Sequence, residues 1–172
     1  MAEKRRIAFD SCCFIDMVKQ EVGVQLADER VHDVWYMKQL LQASRDGEIV
    51  VHASALTIAE CTAAGDDVSD AVKGTFRRLL MSGQYLVLIQ PTPFIMEDAR
   101  DLRWNHGLVL GGADAVHVAS AIDRKCEEFI TTDGQIKKMA AAPKLAGLGL
   151  RVIRARDTQC LPDKYRQGKL SV

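Results

Sequence analysis

Short apolar segments alternate with amphipathic helical segments along this chain, and this alternation limits the folds available to it. Apolar runs of strand length, separated by helices, are typical of a parallel sheet covered by helices on both faces. We therefore predict an α/β fold with a central parallel sheet of four or five short strands. The predicted strands are Ile7–Phe9, Glu48–His52, Leu86–Ile89, Phe129–Thr131 and, as a possible fifth, Leu150–Ile153.

Capping residues and apolar spacing predict the helices between these strands. Thr92-Pro93 fits an N-cap followed by a first-turn proline, and Gly111-Gly112 opens a helix with an apolar face. The region from Glu21 to Glu29 is weakly patterned and is interpreted as a loop or helix connection. The other predicted helices run through Phe14 to Lys19, through Trp35 to about Gly47, from a Ser54 cap to Gly65, and from Val68 to Ser82; a short one follows Gly134.

Length and composition fit one globular domain. The chain has 172 residues, of which 48% are hydrophobic and 27% charged, and it contains no internal repeat or low-complexity segment. Its formal net charge is zero, so no global basic field points to nucleic acid, although a local basic patch is enough to contact phosphates. The predicted division is residues 1–155 as the main domain and 156–172 as a basic C-terminal tail, either part of that domain or an extension of it.

Neither a membrane segment nor a disulfide framework is expected. The apolar runs are far below the roughly 20 residues that a spanning helix needs, and the N-terminal apolar stretch is too short for a signal peptide, so a cytoplasmic location is the default. The number of cysteines is odd and no C-x-x-C spacing occurs, which favours free thiols. They are Cys12, Cys13, Cys61, Cys126 and Cys160.

Two acidic residues directly follow predicted strands. Asp10 comes after the first strand, and Asp133 comes after the fourth strand and its two threonines. Ligands of open parallel sheets bind outside the carboxyl ends of the strands, where the strand order reverses. If the two strands are neighbours there, both carboxylates share one crevice.

Two further acids lie in helices whose surroundings look buried. Glu60 stands among Ile58, Ala59 and Cys61, and Asp114 is in the first turn of its helix. An ionised carboxylate with little water around it must be paired or bind a cation. Several such groups converging on one crevice form a hard oxygen site suited to Mg²⁺ or Mn²⁺.

Each acid also has a simpler interpretation. Asp10 and Asp133 can act as helix caps or turn residues, Asp114 suits the positive end of a helix dipole, and Glu60 can be a solvated helix residue. Neighbouring polar residues have two interpretations as well. His117 can be a general base or a structural histidine, Asp16 a further acid or an exposed helix residue, and Thr131 an orienting group or the end of a strand.

Taken together, the acids and their flanking residues form a more specific pattern. Ile7-Ala8-Phe9-Asp10, Leu56-Thr57-Ile58-Ala59-Glu60, Asp114-Ala115-Val116-His117-Val118-Ala119 and Ile130-Thr131-Thr132-Asp133 occur in this order. The pattern resembles the PIN-domain family, especially the VapC-like toxin ribonucleases, from about Ile7 to Ile153. The resemblance implies a three-layer PIN-like domain and a metal-dependent endoribonuclease in which Asp10, Glu60, Asp114 and Asp133 carry the metal and the catalysis.

The resemblance also implies partners: an RNA substrate, a possible antitoxin protein and a second copy of the chain in a homodimer. This sequence departs from the family in the length of its Glu21–Arg30 region and of its tail, and in the Cys12-Cys13 pair that follows Asp10 and Ser11. The basic residues of the tail region, among them Arg151, Arg154 and Arg156, can solvate the surface or contact phosphates.

Hydrolysis in such a site uses a water activated by the cation and does not need the 2′-hydroxyl, so only the resemblance favours RNA over DNA. One alternative is a non-catalytic PIN scaffold that binds RNA or a protein partner. Another is a haloacid-type phosphatase, which is disfavoured because Cys12 occupies the position where that chemistry needs a second acid. A nucleotide-binding module is also disfavoured, because neither G-x-G-x-x-G nor a P-loop occurs.

Overall fold

The computed structural model describes residues 3–61, 68–134 and 141–167. Its centre is a five-stranded parallel sheet with the order β3-β2-β1-β4-β5, which confirms the predicted α/β class and the fifth strand. The strands are β1 (Arg6–Phe9), β2 (Val50–Ser54), β3 (Val87–Ile89), β4 (Glu128–Ile130) and β5 (Arg151–Ile153).

Helices connect these strands. They are α1 (Ser11–Glu21), α2 (Asp28–Arg45), α3 (Leu56–Glu60), α4 (Asp70–Met81), α5 (Pro93–Trp104), α6 (Gly112–Asp123) and α7 (Ala141–Gly147). Two 3₁₀ turns, Ala155–Asp157 and Asp163–Tyr165, follow β5. None of the helices in the described ranges is long and apolar enough to cross a membrane.

The sheet separates two hydrophobic clusters, as expected for a three-layer fold. Alternate residues of β1 point to opposite faces: Ile7 and Phe9 pack in the cluster with α1 and α2, whereas Ala8 packs in the cluster with α5 and α6. In β4, Ile130 and Phe129 divide in the same way. Burial on both faces explains why these strands read as continuous apolar runs.

Element boundaries differ from the prediction at two connections. The segment expected to be a loop from Glu21 to Glu29 is shorter, because α1 continues to Glu21 and α2 begins at Asp28. Gly23 has a φ of 79°, a left-handed conformation that glycine adopts without strain and that commonly ends helices. Two acids in the first turn of α2 favour its start through the helix dipole.

The second difference concerns β2. This strand ends at Ser54, so Ser54 is a strand residue, and α3 begins two residues later. The Ser54 hydroxyl still accepts a hydrogen bond of 3.3 Å from the Leu56 amide. The predicted continuation of this helix to Gly65 and the short helix after Gly134 fall largely outside the described residues.

The residues after β5 pack against the body of the domain. Cys160 and Leu161 are buried in the same cluster as Ile7 and Phe9. The Glu128 side chain in β4 is buried and accepts hydrogen bonds from the Thr158 hydroxyl and the Gln159 amide. The segment following β5 therefore covers a charged group of the central sheet.

Candidate active site

Asp10 stands at the carboxyl end of β1, the central strand. Its backbone amide donates to the Ile130 carbonyl at 3.0 Å, so β1 and β4 end side by side at the point where the strand order reverses. The carboxylate is buried, and its two oxygens have different partners: Oδ1 accepts from the Ser11 amide at 2.8 Å, and Oδ2 accepts from the Thr131 hydroxyl at 2.7 Å. Asp10 therefore caps α1 and also faces the end of β4.

The turn after β4 holds Asp133 beside Asp10. The Thr131 hydroxyl, which donates to Asp10, also accepts a hydrogen bond of 2.9 Å from the Asp133 amide. One buried hydroxyl thus joins the two strand-end acids, because it bonds the side chain of one and the backbone of the other. Of the two interpretations of Thr131, this geometry favours the orienting role.

Glu60 and His117 form a close pair between α3 and α6. Glu60 Oε2 lies 2.6 Å from His117 Nε2, and the histidine is buried whereas the glutamate is partly exposed. Because a carboxylate can only accept, Nε2 carries the proton of this hydrogen bond. His117 Nδ1 is buried and has no hydrogen-bond partner among the described residues. The pair indicates that His117 holds Glu60 in place.

Asp114 lies in the first turn of α6, under the influence of the other three acids. Its pKa is raised, first by burial and then by the negative charges of Asp10 and Asp133; Glu60 adds to the rise, and His117 opposes it. The charges of Asp10, Asp133 and Glu60 therefore all act on Asp114, although within the described part of the chain no direct contact joins the four carboxylates. These four residues are the ligands that the sequence predicts, and a bound cation would offset the repulsion that they exert on Asp114.

Gly111, directly before α6, leaves room for the Asp114 side chain. A Cβ atom built on Gly111 would lie 3.0 Å from Asp114 Oδ2, closer than real side chains normally approach an oxygen. The glycine is the N-cap of α6 and contributes no side chain of its own. Its role is to keep the space beside the carboxylate open.

The four carboxylates fit a divalent cation in chemistry, but they are not drawn together as a coordination shell. Among residues 3–61, 68–134 and 141–167, no group of three or more His, Cys, Asp or Glu side chains is close enough to hold a metal ion. Two of the acids instead bond to neighbouring side chains, Glu60 to His117 and Asp10 to Thr131. The donors are hard oxygens. Burial, and then repulsion by the other carboxylates, raises the pKa of Asp114, and a cation would relieve that repulsion.

Cys12 lies beside the candidate site, a position that the sequence did not predict for it. Its thiol lies 3.2 Å from Asp10 Oδ2 and 3.4 Å from Thr131 Oγ1, and it accepts from the Thr132 amide at 3.2 Å. The cysteines are free thiols, as predicted, and Cys12 is the least buried of them. Its position two residues after Asp10 was the available signal. The Cys12 thiol, one of the departures from the family pattern, therefore lies in contact with Asp10 and Thr131.

Asp16 is the second residue whose role was underestimated. It is buried, accepts a hydrogen bond of 2.9 Å from the Thr132 hydroxyl, and pairs with Arg30 at 3.1 Å. The alternative of an exposed helix residue is therefore excluded. The apolar neighbours of Asp16 in α1 were a weak signal of burial, but its partners are too distant in sequence to be predicted.

Comparison with known proteins agrees with this architecture. The family described as PIN domain matches residues 7–142. No curated protein sequence matches the chain significantly. Several solved structures share the fold, at sequence identities that support the fold alone.

One is VapBC2 from Rickettsia felis bound to a DNA fragment from its promoter, with a TM-score of 0.55 and 12% identity over 86% of this chain and 97% of that one. FitAcB from Neisseria gonorrhoeae has a TM-score of 0.51 and 16% identity, covering 88% and 99% of the two chains. FitAB bound to an IR36 DNA fragment has a TM-score of 0.52 and 14% identity, covering 89% and 97%. The family match spans most of the chain and includes all four acids, and the chain belongs to the PIN domain family.

Proposed function

We propose that this chain is a metal-dependent endoribonuclease that hydrolyses RNA phosphodiester bonds. The observation that carries the proposal is the meeting of Asp10 and Asp133 at the ends of β1 and β4, where the Thr131 hydroxyl bonds the Asp10 carboxylate and the Asp133 amide. The pKa of Asp114 agrees with this, because it is raised by burial and then by the charges of Asp10, Asp133 and Glu60. Four separate segments of the chain supply these groups to one end of a parallel sheet. Membership of the PIN domain family, which consists generally of nucleases, gives this acidic cluster its interpretation.

Asp10, Glu60, Asp114 and Asp133 would hold Mg²⁺ or Mn²⁺. A divalent cation bound there supplies the charge that lowers the pKa of a water molecule and stabilises the leaving oxygen. The chain itself contributes position and charge. Thr131 fixes the Asp10 carboxylate and the turn that carries Asp133, and His117 fixes Glu60.

The proposal includes protein partners. A homodimer and an antitoxin come from the resemblance to VapC-like toxins, and the structural relatives named VapBC2 and FitAB support the antitoxin. Large apolar side chains are exposed around α5, notably Phe94 at 81%, Val109 at 75% and Trp104 at 71%. Several large exposed apolar side chains on one segment are a feature of protein interfaces, which supports an association with a protein.

A non-catalytic PIN scaffold is the second candidate. The observation that favours it is the bond between Glu60 and His117, which engages one of the four proposed ligands. A scaffold of this kind would bind RNA or a protein without cleaving. A cleavage assay separates the two candidates.

The test is cleavage of a labelled single-stranded RNA by purified protein with Mg²⁺ or Mn²⁺, and again with excess EDTA. We expect metal-dependent cleavage, and a rate at least about tenfold lower in Asp10→Asn and in Asp114→Asn, equivalent to about 1.4 kcal/mol in the barrier. Asp70→Asn is the matched control, since Asp70 also lies in the first turn of a helix but is fully exposed. A DNA strand of the same sequence tests the preference for RNA.

Cleavage that persists in EDTA, or wild-type rates in both folded variants, would contradict the proposed metal site. Binding of RNA without cleavage under any metal condition would favour the scaffold.

A further inference from the structure

Arg30 is a cation near the start of α2, and its partner is the buried Asp16 of α1. It lies in the first turn of α2, where the helix dipole repels cations. Its Nη1 atom is 3.1 Å from one oxygen of Asp16 and 3.5 Å from the other. The carboxylate is almost completely shut off from solvent, whereas the Arg30 side chain is 45% exposed. The buried acid thus anchors an arginine that reaches the surface.

This anchor is linked to the candidate active site by one further hydrogen bond. The Asp16 oxygen that Arg30 approaches at 3.5 Å accepts the Thr132 hydroxyl at 2.9 Å. Thr132 stands directly between Thr131 and Asp133 in the turn after β4. The guanidinium of Arg30 is therefore held at the same end of the sheet as the four acids.

The guanidinium retains donors for a ligand. Arginine has five N–H donors, and within the described residues only Nη1 of Arg30 is engaged in a hydrogen bond. A guanidinium fixed on one side by a buried carboxylate is pre-organised, so it loses little freedom when a second anion binds on the open side. Phosphate and carboxylate groups are the anions that match its planar fork.

Two further arginines, Arg154 and Arg156, differ from Arg30 because each forms ion pairs with two acidic residues. Arg154 and Arg156 follow β5 and both pair with the buried Asp33 and with Glu29. Their side chains are 27% and 29% exposed, clearly less than Arg30. Of these three arginine side chains, Arg30 is the most exposed to solvent.

We propose that Arg30 binds a backbone phosphate of a single-stranded nucleic acid, adjacent to the phosphate at the four acids. The inference rests on the proposed nuclease function, because it assigns a substrate contact beside that site. The shared chemistry is the phosphodiester anion, which RNA and DNA both carry. Asp16 is the positioning residue that fixes Arg30.

The experiment measures binding of labelled RNA and DNA single strands by fluorescence anisotropy at several salt concentrations. The parent is the Asp114→Asn protein with Mg²⁺, in which cleavage is expected to be slow. Arg30→Gln should weaken binding and reduce the slope of log Kd against log salt by about 0.7, the contribution of one single-strand phosphate contact. Arg30→Lys should keep the slope, since the charge remains.

Arg5→Gln is the matched control. The Arg5 side chain is 43% exposed and pairs with Glu127, but it precedes β1, at the end of the sheet opposite the acids. Its removal should leave the slope unchanged. Arg30→Gln leaves the buried Asp16 carboxylate without its cation, so the double variant Asp16→Asn/Arg30→Gln is measured as well. The double variant removes both charges of the pair and should show the same reduced slope.

A reduced slope on either polymer, with Arg5→Gln unchanged, supports the inference, and the polymer affected identifies the source of the phosphate. An unchanged slope in the folded Arg30 variants, an equal loss in Arg5→Gln, or no measurable binding by the parent would overturn it. Cleavage by the wild type is scored separately. If the slope changes as expected but the wild type never cleaves, the Arg30 contact is supported and the proposed nuclease activity is contradicted.

Discussion

His117 Nε2 lies 2.6 Å from Glu60 Oε2, and this contact joins two helices that are 57 residues apart in the chain. The imidazole is a buried side chain of α6, and the partly exposed carboxylate reaches it from the last residue of α3. The histidine therefore acts on the candidate site through Glu60. We therefore expect His117 to contribute more to the stability of the site than to a proton transfer.

His117→Gln should accordingly lower the stability more than the cleavage rate per folded molecule. A buried hydrogen bond to a charged group is broken or lengthened, which costs about 1–3 kcal/mol in the free energy of unfolding. His106→Gln is the control, because His106 pairs with Asp101 at 3.5 Å on the surface and should change stability by less than about 0.5 kcal/mol. A His117→Gln protein that melts like the wild type but no longer cleaves would point to a catalytic histidine.

Thr131 and Thr57 provide a matched pair of buried threonines. Thr131→Val removes the hydroxyl that serves Asp10 and the Asp133 amide, leaving both without that partner, and should cost about 1–3 kcal/mol. The Thr57 hydroxyl is equally buried and has no hydrogen-bond partner among the described residues, so Thr57→Val should be neutral or stabilising. Urea denaturation of the two variants measures the difference. Equal effects would mean that the Thr131 hydroxyl does not organise the site.

The raised pKa of Asp114 predicts a specific pH dependence of stability without metal. The folded protein holds this proton more tightly than the unfolded chain, so the contribution of Asp114 is fully present below its unfolded pKa of about 3.9. It is lost as the pH rises through the folded-state pKa. Asparagine does not titrate, so Asp114→Asn should gain stability relative to the wild type as the pH rises, in urea melts with EDTA.

Asp46→Asn is the control of opposite sign. A hydrogen bond from Tyr165 lowers the pKa of Asp46, so the stability it contributes is present above the unfolded pKa and is lost on acidification. Relative to the wild type, this variant should therefore lose stability as the pH rises. Parallel curves for the two variants would show that the folded state does not raise the pKa of Asp114.

Divalent metal should stabilise the folded protein. Binding to the folded state alone adds about 2.7 kcal/mol at a hundredfold excess over the dissociation constant. A thermal melt with a Mn²⁺ titration should show a rising melting temperature in the wild type and a smaller rise in Asp114→Asn, which lacks one ligand. If the melting temperature of the wild type does not rise up to millimolar Mn²⁺, the proposal that these acids bind metal is contradicted.

Local patterns in the sequence predicted the fold and the placement of the acids. The apolar runs ending at Asp10 and before Asp133 place these residues at one end of a parallel sheet whatever the details of the helices. Helical spacing likewise put Asp114 at the start of α6, where the structure has it. These inferences succeed because strand burial and helix capping depend on neighbours in the sequence.

The partners of these residues could not be predicted in the same way. Asp16 bonds to Thr132 across 116 positions, and Glu60 meets His117 across 57. Such contacts depend on strand order and helix packing, which no local pattern specifies. The boundary of β2 was wrong for a different reason: its apolar centre is clear, but Ser54 fits both a strand end and a helix cap.

The bond between Thr131 and Asp10 spans 121 positions, and it has a consequence for the order in which the protein is made. During synthesis, Asp10, Glu60 and Asp114 are all added before β4, which pairs with β1. Asp10 precedes β4 by more than a hundred residues, and Asp114 precedes it by far fewer. Until β4 is added, Asp10 lacks both the Ile130 carbonyl beside it and the hydroxyl that orients its carboxylate. A nascent chain that ends before the fourth strand therefore lacks both contacts, and the arrangement around Asp10 is complete only after synthesis has passed β4.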